Sequence, residues 1–192
     1  MVTGSVAVLG VVAAVALERL AELHLSRRNA AWATAHGGIE VGPGVYCLMA
    51  VFHVAFLMAC VAEPLLMRRV FTPALAAACL VVLMGAQVLR WWAIITLGPR
   101  WNTRIIVIPD AVPVTGGPYR WVRHPNYVAV IAEMVALPLL GGAWVTALVA
   151  TAGNALILRV RINSEERALG TQWARAFAAT PRFVPWGSRD GS

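Results

Sequence analysis

Residues 117–127 read GPYRWVRHPNY and gather polar and aromatic side chains between two strongly apolar segments. The glycine-proline start predicts a turn, and the proline after His124 disfavours helical geometry at that histidine. Pro125 then suits the first position of a following helix. The stretch therefore predicts that His124 lies at the start of a helix, where unpaired amides and the helix dipole favour an anionic or carboxylate-bearing ligand.

The composition of the whole chain is that of a membrane protein. Hydrophobic residues make up 59% of its 192 residues, and the mean hydropathy of +0.70 lies far above the average of soluble proteins. All 16 basic residues are arginines, the net charge is +7, and the arginines cluster at the ends of apolar segments. Membrane topology accounts for that distribution, which argues against nucleic-acid binding because no basic face carries interleaved aromatic residues.

The three cysteines lie inside apolar segments. Cys47, Cys60 and Cys79 have neither metal-ligand spacing nor paired spacing, so we interpret all three as small core residues. The sequence predicts no metal site and no disulfide framework.

The apolar segments predict an all-α integral membrane bundle of about five transmembrane helices, since about 20 apolar residues cross a bilayer. A C-terminal amphipathic cytoplasmic helix is expected to follow. The first span is predicted to be a retained helix rather than a cleaved signal. The predicted spans cover residues 2–25, 45–66, 73–97, 125–140 and 144–158, the last continuing as a helix through Arg161.

The spans divide the chain into two predicted parts. Residues 1–97 would form three helices on the acceptor side, and residues 98–192 the cofactor-binding catalytic region with a helical hairpin over 125–161. In a five-span scheme most arginine-rich loops share one side, which the positive-inside rule makes cytoplasmic. Arg68 and Arg69 fall on the opposite side and disagree with the scheme.

Charged residues inside the predicted spans point to a polar interior. Glu133 is expected to have an interior polar partner, either Arg90 or a group on the substrate. For Arg90 itself, snorkelling to the surface is the simpler explanation. His53 is interpreted as a hydrogen-bonded core residue rather than a ligand. The group at the end of the first span either borders a cavity or forms an interfacial collar, and both alternatives stay open; it comprises Glu18, Arg19, Glu22 and His24.

Two further segments have sequence patterns that predict their secondary structure. Residues 105–108 form a short apolar run bounded by polar residues and a proline, typical of an extended segment. In the tail from Ser164, the apolar residues Leu169, Trp173 and Phe177 recur every four positions. This spacing predicts an amphipathic helix against the core or the membrane surface.

The motif Gly-Pro-Tyr-x-x-x-Arg-His-Pro-x-Tyr, followed by Arg161 and the pair Glu165-Glu166, resembles the isoprenylcysteine carboxyl methyltransferase family of integral membrane enzymes. The resemblance extends upstream through residues 101–104. It points to a bacterial branch whose genes often lie beside type III polyketide synthases and whose members look like O-methyltransferases of long-chain pyrones or resorcinols. The string Arg-His-Pro-x-Tyr alone is less specific, because NADPH-dependent membrane sterol reductases carry a similar one.

The resemblance implies S-adenosylmethionine as the cofactor, a lipidic small molecule as the substrate, and contact with membrane lipids. It also implies the residues of the site. The implied cofactor wall comprises Thr115, Gly117, Tyr119, Val122, His124 and Tyr127, completed from the opposing helix by Asn154 and Glu165.

Arg161 and Glu166 match the catalytic pair of the family. In the prenylcysteine enzymes the matching arginine is thought to hold the substrate carboxylate at the donated methyl group. With a hydroxypyrone or resorcinol the same cation would favour the enolate or phenolate, and Glu166 would accept or relay the proton. Here Asn163 and Ser164 precede only two glutamates, whereas some relatives have a longer acidic cluster, so the identity of the acceptor stays open.

Several alternatives remain at this stage. The charged residues of the second motif can instead form a solvated network where the last span leaves the membrane. Prenylcysteine carboxylates and phospholipid amines are other acceptors for the same chemistry. An NADPH-dependent reductase and a non-enzymatic membrane protein are the alternatives from other classes.

Overall fold

The computed structural model describes residues 2–184 and consists of helices with one small sheet. Its helices are α1 (Val2–Ala35), α2 (Pro43–Leu66), α3 (Pro73–Leu97), α4 (Pro125–Leu140) and α5 (Trp144–Ala176). Two short strands, β1 (Ile39–Val41) and β2 (Ile105–Val107), pair in antiparallel fashion. Single 3-10 turns occupy Gly98–Arg100 and Gly117–Arg120. The predicted all-α class is confirmed.

Within the described part of the chain, three helical stretches are long and apolar enough to cross a membrane. They are α2, α3 with the 3-10 turn that follows it, and α5. Helix α4 is equally apolar but has only 16 residues. The chain is an integral membrane protein, and crossings by α1 and α4, which the five-span scheme requires, remain predictions.

Helix α1 is longer than predicted. It continues to Ala35, whereas the predicted first span ends at residue 25. The extra turns carry buried polar side chains that bind the loop after α3: Ser26 Oγ donates to Asn102 Oδ1 at 2.8 Å, and Asn29 Nδ2 donates to the Trp101 carbonyl at 2.7 Å. These partners satisfy polar groups that would otherwise be buried without hydrogen bonds, which stabilises the continued helix.

The extended segment predicted over residues 105–108 is largely confirmed as β2. Its partner β1 was not predicted. Ile39 pairs with Val107 and Val41 with Ile105, which ties the loop after α1 to the loop after α3. Both strands contact α5, which carries Arg161.

The core lies between α4 and its neighbours. Met134 and Leu137 of α4 are buried against Leu83 of α3 and Phe56 of α2. Cys60 and Cys79 belong to the same core, but Cys47 is exposed, so its assignment to the core was wrong. All three cysteines are free. Burial of apolar side chains determines which face of each helix packs into the core. The ends of the bundle lie outside this core, so polar residues can occupy them.

The hairpin of α4 and α5 turns at residues 141–143, and α5 returns to the start of α4. Helix α5 is one helix down to Gly170, where φ 74° and ψ −166° interrupt it. Residues 164–169 of the predicted tail helix therefore continue α5, whereas residues 171–176 form a short helical segment after the interruption. Trp173 and Phe177 pack with Ala93 and Tyr119, so this part of the tail faces the protein core. Residues 185–192 lie outside the described residues.

Arg69, which disagreed with the five-span scheme, has a structural partner. Its Nη2 lies 2.8 Å from Glu63 Oε1. The other oxygen, Glu63 Oε2, accepts from the backbone amide of Thr146 at 2.7 Å and from its hydroxyl at 2.8 Å. Glu63 therefore caps the first turn of α5 from α2, as a carboxylate at a helix start should.

We expect Glu63→Ala to lower the free energy of unfolding by about 1–3 kcal/mol, because it removes the cap of α5 and leaves amides without acceptors. Thermal unfolding in detergent should show a Tm lower by several degrees. Glu40→Ala is the matched control, since Glu40 forms an exposed ion pair with Arg104 at 3.1 Å that contributes less than about 1 kcal/mol. Equal Tm values for the two variants would contradict the capping role.

Candidate active site

A cavity of about 820 Å³ opens beside the start of α4. Side chains from α1, α2, α3 and α5 line it, together with the loop of residues 100–114. It falls within the size range of pockets for small molecules and cofactors. One end is formed around the start of α4, where Tyr119, His124, Tyr127, Arg161 and Glu165 line the cavity. A second polar group on its lining comprises Arg19, Glu22, His53 and Arg90.

His124 occupies the predicted place. It directly precedes α4 with the non-helical angles φ −127° and ψ 62°, and Pro125 is the first residue of the helix. Its buried side chain stacks on Tyr127 with ring centroids 5.3 Å apart. Its Nε2 lies 3.0 Å from Glu166 Oε1. Pro125 therefore sets the backbone angles of His124, and Glu166 of α5 is the partner that orients its imidazole.

Glu166 does not line the cavity. Arg182 holds it from the other side, with Nε 3.1 Å from Oε1 and Nη2 2.6 Å from Oε2. Such two-point arginine-carboxylate contacts are strong and geometrically specific. Glu166 thus meets the cavity through two residues that line it, the imidazole of His124 at 3.0 Å and Arg123 Nη1 at 3.9 Å.

Arg161 lies at the centre of the site, and only 3% of its surface is exposed. Its Nε donates to the Tyr127 hydroxyl at 2.7 Å, and its Nη2 donates to the Thr103 carbonyl at 2.6 Å. The Tyr127 hydroxyl in turn donates to Glu165 Oε2 at 2.6 Å. Arg161 and Glu165 are thus connected through Tyr127, and the third guanidinium nitrogen, Nη1, has no hydrogen-bond partner among residues 2–184.

Tyr119 forms part of the same wall. It is buried against Ala93 and Phe177. Burial, with a smaller contribution from the charge of Glu165, raises the pKa of Tyr119 well above its usual range. The phenol therefore stays neutral and presents an aromatic surface with one hydroxyl.

Four other residues implied by the resemblance lie off the cavity wall as the structure describes it. Thr115 is exposed, whereas Val122 and Asn154 are buried in the protein. The Oδ1 atom of Asn154 has no hydrogen-bond partner in the described part of the chain. Gly117 lies behind the wall, where its backbone sets the turn.

Position 117 requires a glycine because of its backbone conformation and because Thr96 lies close to it. Its φ is +55°, and an added Cβ would lie 2.4 Å from Thr96 Oγ1. The Thr96 hydroxyl is held by a 2.8 Å hydrogen bond to the Trp92 carbonyl, so it does not move aside without losing that bond. Gly116, by contrast, is extended, and a Cβ there would meet no atom within 4 Å.

We expect Gly117→Ala to lower the free energy of unfolding by about 2–3 kcal/mol, since strain and overlap add. Gly116→Ala should change it by less than about 0.5 kcal/mol. The Tm of each variant is measured, and the two proteins differ only in which of the two adjacent glycines is replaced by alanine. A Gly117→Ala protein as stable as Gly116→Ala would show that the turn relaxes freely.

The polar group on the α1 side of the cavity is a buried charge cluster. Glu133 binds Arg90 in a short ion pair, and it also accepts from Arg19 Nη2 at 3.1 Å and from Gln87 Nε2 at 2.9 Å. Arg19 Nη1 lies 2.7 Å from Glu22 Oε2. The predicted pairing of Glu133 with Arg90 is confirmed.

Three further expectations about these spans are settled by burial, by the lining of the cavity and by a hydrogen bond. Only 2% of Arg90 is exposed, so the snorkelling interpretation was wrong: Glu133 offers a charged partner inside the bundle. Arg19 and Glu22 line the cavity, which confirms the cavity alternative for these two. His53 Nδ1 contacts the Met49 carbonyl at 2.8 Å, as expected of a hydrogen-bonded residue, although it also lines the cavity.

Sequence reasoning missed two contributors to the site. The Thr103 carbonyl orients Arg161, and Asn126 Oδ1 lies 3.5 Å from Arg90 Nη1. The available signal for Asn126 was its place inside residues 117–127. No sequence signal identifies a backbone carbonyl as a partner, because every residue has one.

Comparison with known proteins places the chain among membrane enzymes. A model of the isoprenylcysteine carboxyl methyltransferase (ICMT) family matches residues 77–171. The "uncharacterized protein YpbQ" of Bacillus subtilis (strain 168) is 37% identical over 161 residues, which cover 82% of this chain and 94% of that protein. An "uncharacterized protein" of Haemophilus influenzae is 32% identical over 152 residues, covering 79% and 88% respectively.

Proposed function

Because the chain belongs to the isoprenylcysteine carboxyl methyltransferase family of membrane methyltransferases, we propose that it methylates a hydroxyl group of a lipidic acceptor with S-adenosylmethionine as methyl donor. The acceptor proposed is a long-chain alkylpyrone or alkylresorcinol. An amphiphile whose tail lies in the bilayer explains why the reaction needs a membrane protein.

The observation that carries the proposal is the cavity around Arg161. Its wall combines a buried guanidinium that has a spare N–H donor with a carboxylate, Glu165, held through Tyr127. This combination of a guanidinium and a carboxylate fits the methyl donor and the acceptor. Glu165 complements the ammonium group of the methyl donor, and the start of α4 complements its carboxylate. Tyr119 and His124 supply aromatic wall beside them.

When bound, S-adenosylmethionine supplies an electrophilic methyl group, and its demethylated product leaves. The chain's own residues would act on the acceptor. Arg161 favours the charged oxygen of an enolate or phenolate, which lowers the pKa of the hydroxyl. His124 takes up the proton, and Glu166 stabilises the resulting imidazolium from outside the cavity, as in other relays of this kind. Holding the acceptor oxygen in line with the methyl group and the sulfur atom of the donor accounts for most of the remaining acceleration.

The remaining residues that the resemblance implies for the cofactor wall are proposed to support it indirectly. Gly117 sets the turn that places Tyr119. Val122 and Asn154 support the wall from behind, and Thr115 lies on the exposed side of the same loop. We propose that the start of α4 and the end of α5 face the cytoplasm, where the methyl donor is made, in agreement with the positive-inside rule.

A carboxylate acceptor is the second candidate. The spare donor of Arg161 would bind a carboxylate as well as a phenolate, so a prenylcysteine-like substrate fits the same cation. An NADPH-dependent reductase fits less well, because Glu165 would repel the additional phosphate.

Direct binding to detergent-purified protein tests the proposal. We expect S-adenosylmethionine and its demethylated product to bind, each displacing the other, while NADPH does not bind. Incubation with 5-pentadecylresorcinol or a 4-hydroxy-6-alkyl-2-pyrone should then give a methyl ether detectable by mass spectrometry. Binding of NADPH instead of the methyl donor would overturn the methyltransferase proposal, and methylation of a prenylcysteine but of neither phenolic lipid would overturn the acceptor class.

A further inference from the structure

The segment that follows α5 folds back to the start of α4. After the interruption of α5 the chain returns, so that Pro181 and Arg182 lie beside the two residues that precede Pro125. The backbone amide of Arg123 donates to the Pro181 carbonyl at 2.8 Å, and that of His124 donates to the Arg182 carbonyl at 3.3 Å. These two backbone hydrogen bonds fix the position of Arg182 next to His124, although the two residues are far apart in sequence.

The side chain of Arg182 holds Glu166 at both of its oxygens. Its Nε lies 3.1 Å from Oε1, and its Nη2 lies 2.6 Å from Oε2 and 3.4 Å from Asn163 Oδ1. The same Oε1 lies 3.0 Å from His124 Nε2. A carboxylate bound at both oxygens by one planar guanidinium cannot rotate without losing a contact. Arg182 therefore sets the direction from which Glu166 meets the imidazole.

The other charged groups beside Glu166 do not replace this contact. Arg123 Nη1 is 3.9 Å from Oε1, which is beyond hydrogen-bond distance, and its Nε donates to a backbone carbonyl instead. The adjacent Glu165 accepts from the Tyr127 hydroxyl. Within residues 2–184, Arg182 is therefore the arginine that is hydrogen-bonded to Glu166.

The charge of Glu166 determines which nitrogen of His124 carries the proton. Two hydrogen bonds from a guanidinium favour the ionised carboxylate, and an ionised carboxylate can only accept. His124 Nε2 must therefore donate to Oε1, which leaves Nδ1 as the acceptor of the neutral ring. His124 lines the cavity, whereas Glu166 does not. In the opposite tautomer the accepting nitrogen would face Glu166, where it cannot take up a proton from a substrate.

We propose that Arg182 is a positioning residue: by holding Glu166, it fixes His124 in the tautomer with the proton on Nε2 and keeps Nδ1 available as the base. The role of Nδ1 rests on the proposed function. The inference goes beyond that function because it assigns a part to Arg182, which lies outside residues 77–171, the range that matches the family model. The segment after α5 thereby completes the site.

NMR of the imidazole nitrogens tests the inference without methyl transfer. The detergent-purified protein carries isotopic label only in its four histidines, and the signals of His124 are identified by their loss in His124→Gln. The pH is raised until the nitrogen shifts no longer change, so that the ring is neutral. We expect the Nε2–H tautomer of His124 in at least about ten-fold excess, since a hydrogen bond to a charged partner is worth that much. Arg182→Gln should reduce the excess to about two-fold or less, because the released carboxylate can turn to solvent.

Arg175→Gln is the matched control, because Arg175 is exposed on the same segment and does not line the cavity. It should keep the wild-type tautomer ratio. Arg182→Lys should give an intermediate ratio, since an ammonium keeps the charge but not the two-point contact. A wild-type His124 with its proton on Nδ1 would overturn the inference, and this result needs no variant to fold. The wild-type ratio in Arg182→Gln would overturn it as well.

Kinetics then distinguish positioning from general support of the fold. In Arg182→Gln, kcat for methyl transfer should fall by about ten-fold or more, as expected when a general base is misplaced, while the Kd of the demethylated donor stays within about two-fold. Equal losses in kcat and in donor binding would assign Arg182 to the fold alone and overturn the inference. A wild-type protein that binds no methyl donor is a separate outcome: it overturns the proposed function, whereas the tautomer ratio still decides the role of Arg182.

Discussion

Arg161→Lys is expected to lower kcat for methyl transfer by about a hundred-fold or more, because it removes the donor proposed to position the acceptor oxygen and favour its deprotonated form. The guanidinium uses Nε for Tyr127 and Nη2 for Thr103, which leaves Nη1 for the acceptor. A lysine keeps the positive charge, but its single ammonium group cannot hold both partners and the acceptor oxygen in this geometry. The measurement is single-turnover methylation of 5-pentadecylresorcinol at saturating methyl donor.

Arg159→Lys provides the control for this experiment, because Arg159 is exposed two positions earlier on α5 and is absent from the cavity wall. Its rate should stay within about two-fold of wild type, as expected of a surface change. Binding of the demethylated donor should be retained in both variants. An Arg161→Lys protein that methylates the lipid at the wild-type rate would remove Arg161 from the catalytic role.

Glu165→Gln is expected to weaken binding of S-adenosylmethionine by roughly ten- to hundred-fold, the range for losing a charged hydrogen-bond partner. The carboxamide oxygen can still accept from the Tyr127 hydroxyl, which lies 2.6 Å from Glu165 Oε2. The variant therefore removes the negative charge proposed to face the ammonium group while the wall keeps its shape. Isothermal titration with the demethylated product, which retains that ammonium group, gives the change in Kd.

A second comparison separates charge from general damage to the protein. Glu18→Gln also removes one carboxylate, but this residue is not on the cavity wall, and its Kd should equal that of wild type. Unchanged affinity in Glu165→Gln would contradict the assignment of Glu165 to the methyl donor. It would leave Glu165 as a residue that orients Tyr127 and Arg161.

The parts of the site that could be predicted are those set by neighbours in sequence. His124 lies at the start of α4 because Pro125 follows it. A further rule, that a charge inside an apolar bundle needs a partner, predicted a polar partner for Glu133, and the structure selected Arg90 from the two alternatives. The length of α1 was not predictable, since Ser26 is satisfied by Asn102 far along the chain.

The sequence by itself determined the membrane class, the turn at residues 117–127, the hairpin of α4 and α5, and the family resemblance. Hydropathy and the restrictions of proline and glycine act over a few residues, so they can be read without the fold. Only the tertiary structure decided that Arg90 is buried, that Glu166 lies behind His124, and that Glu22 of α1 forms an ion pair with Arg90 of α3 at 3.6 Å. These outcomes depend on how helices distant in sequence pack, because packing selects which polar atoms find partners and which remain free for a ligand.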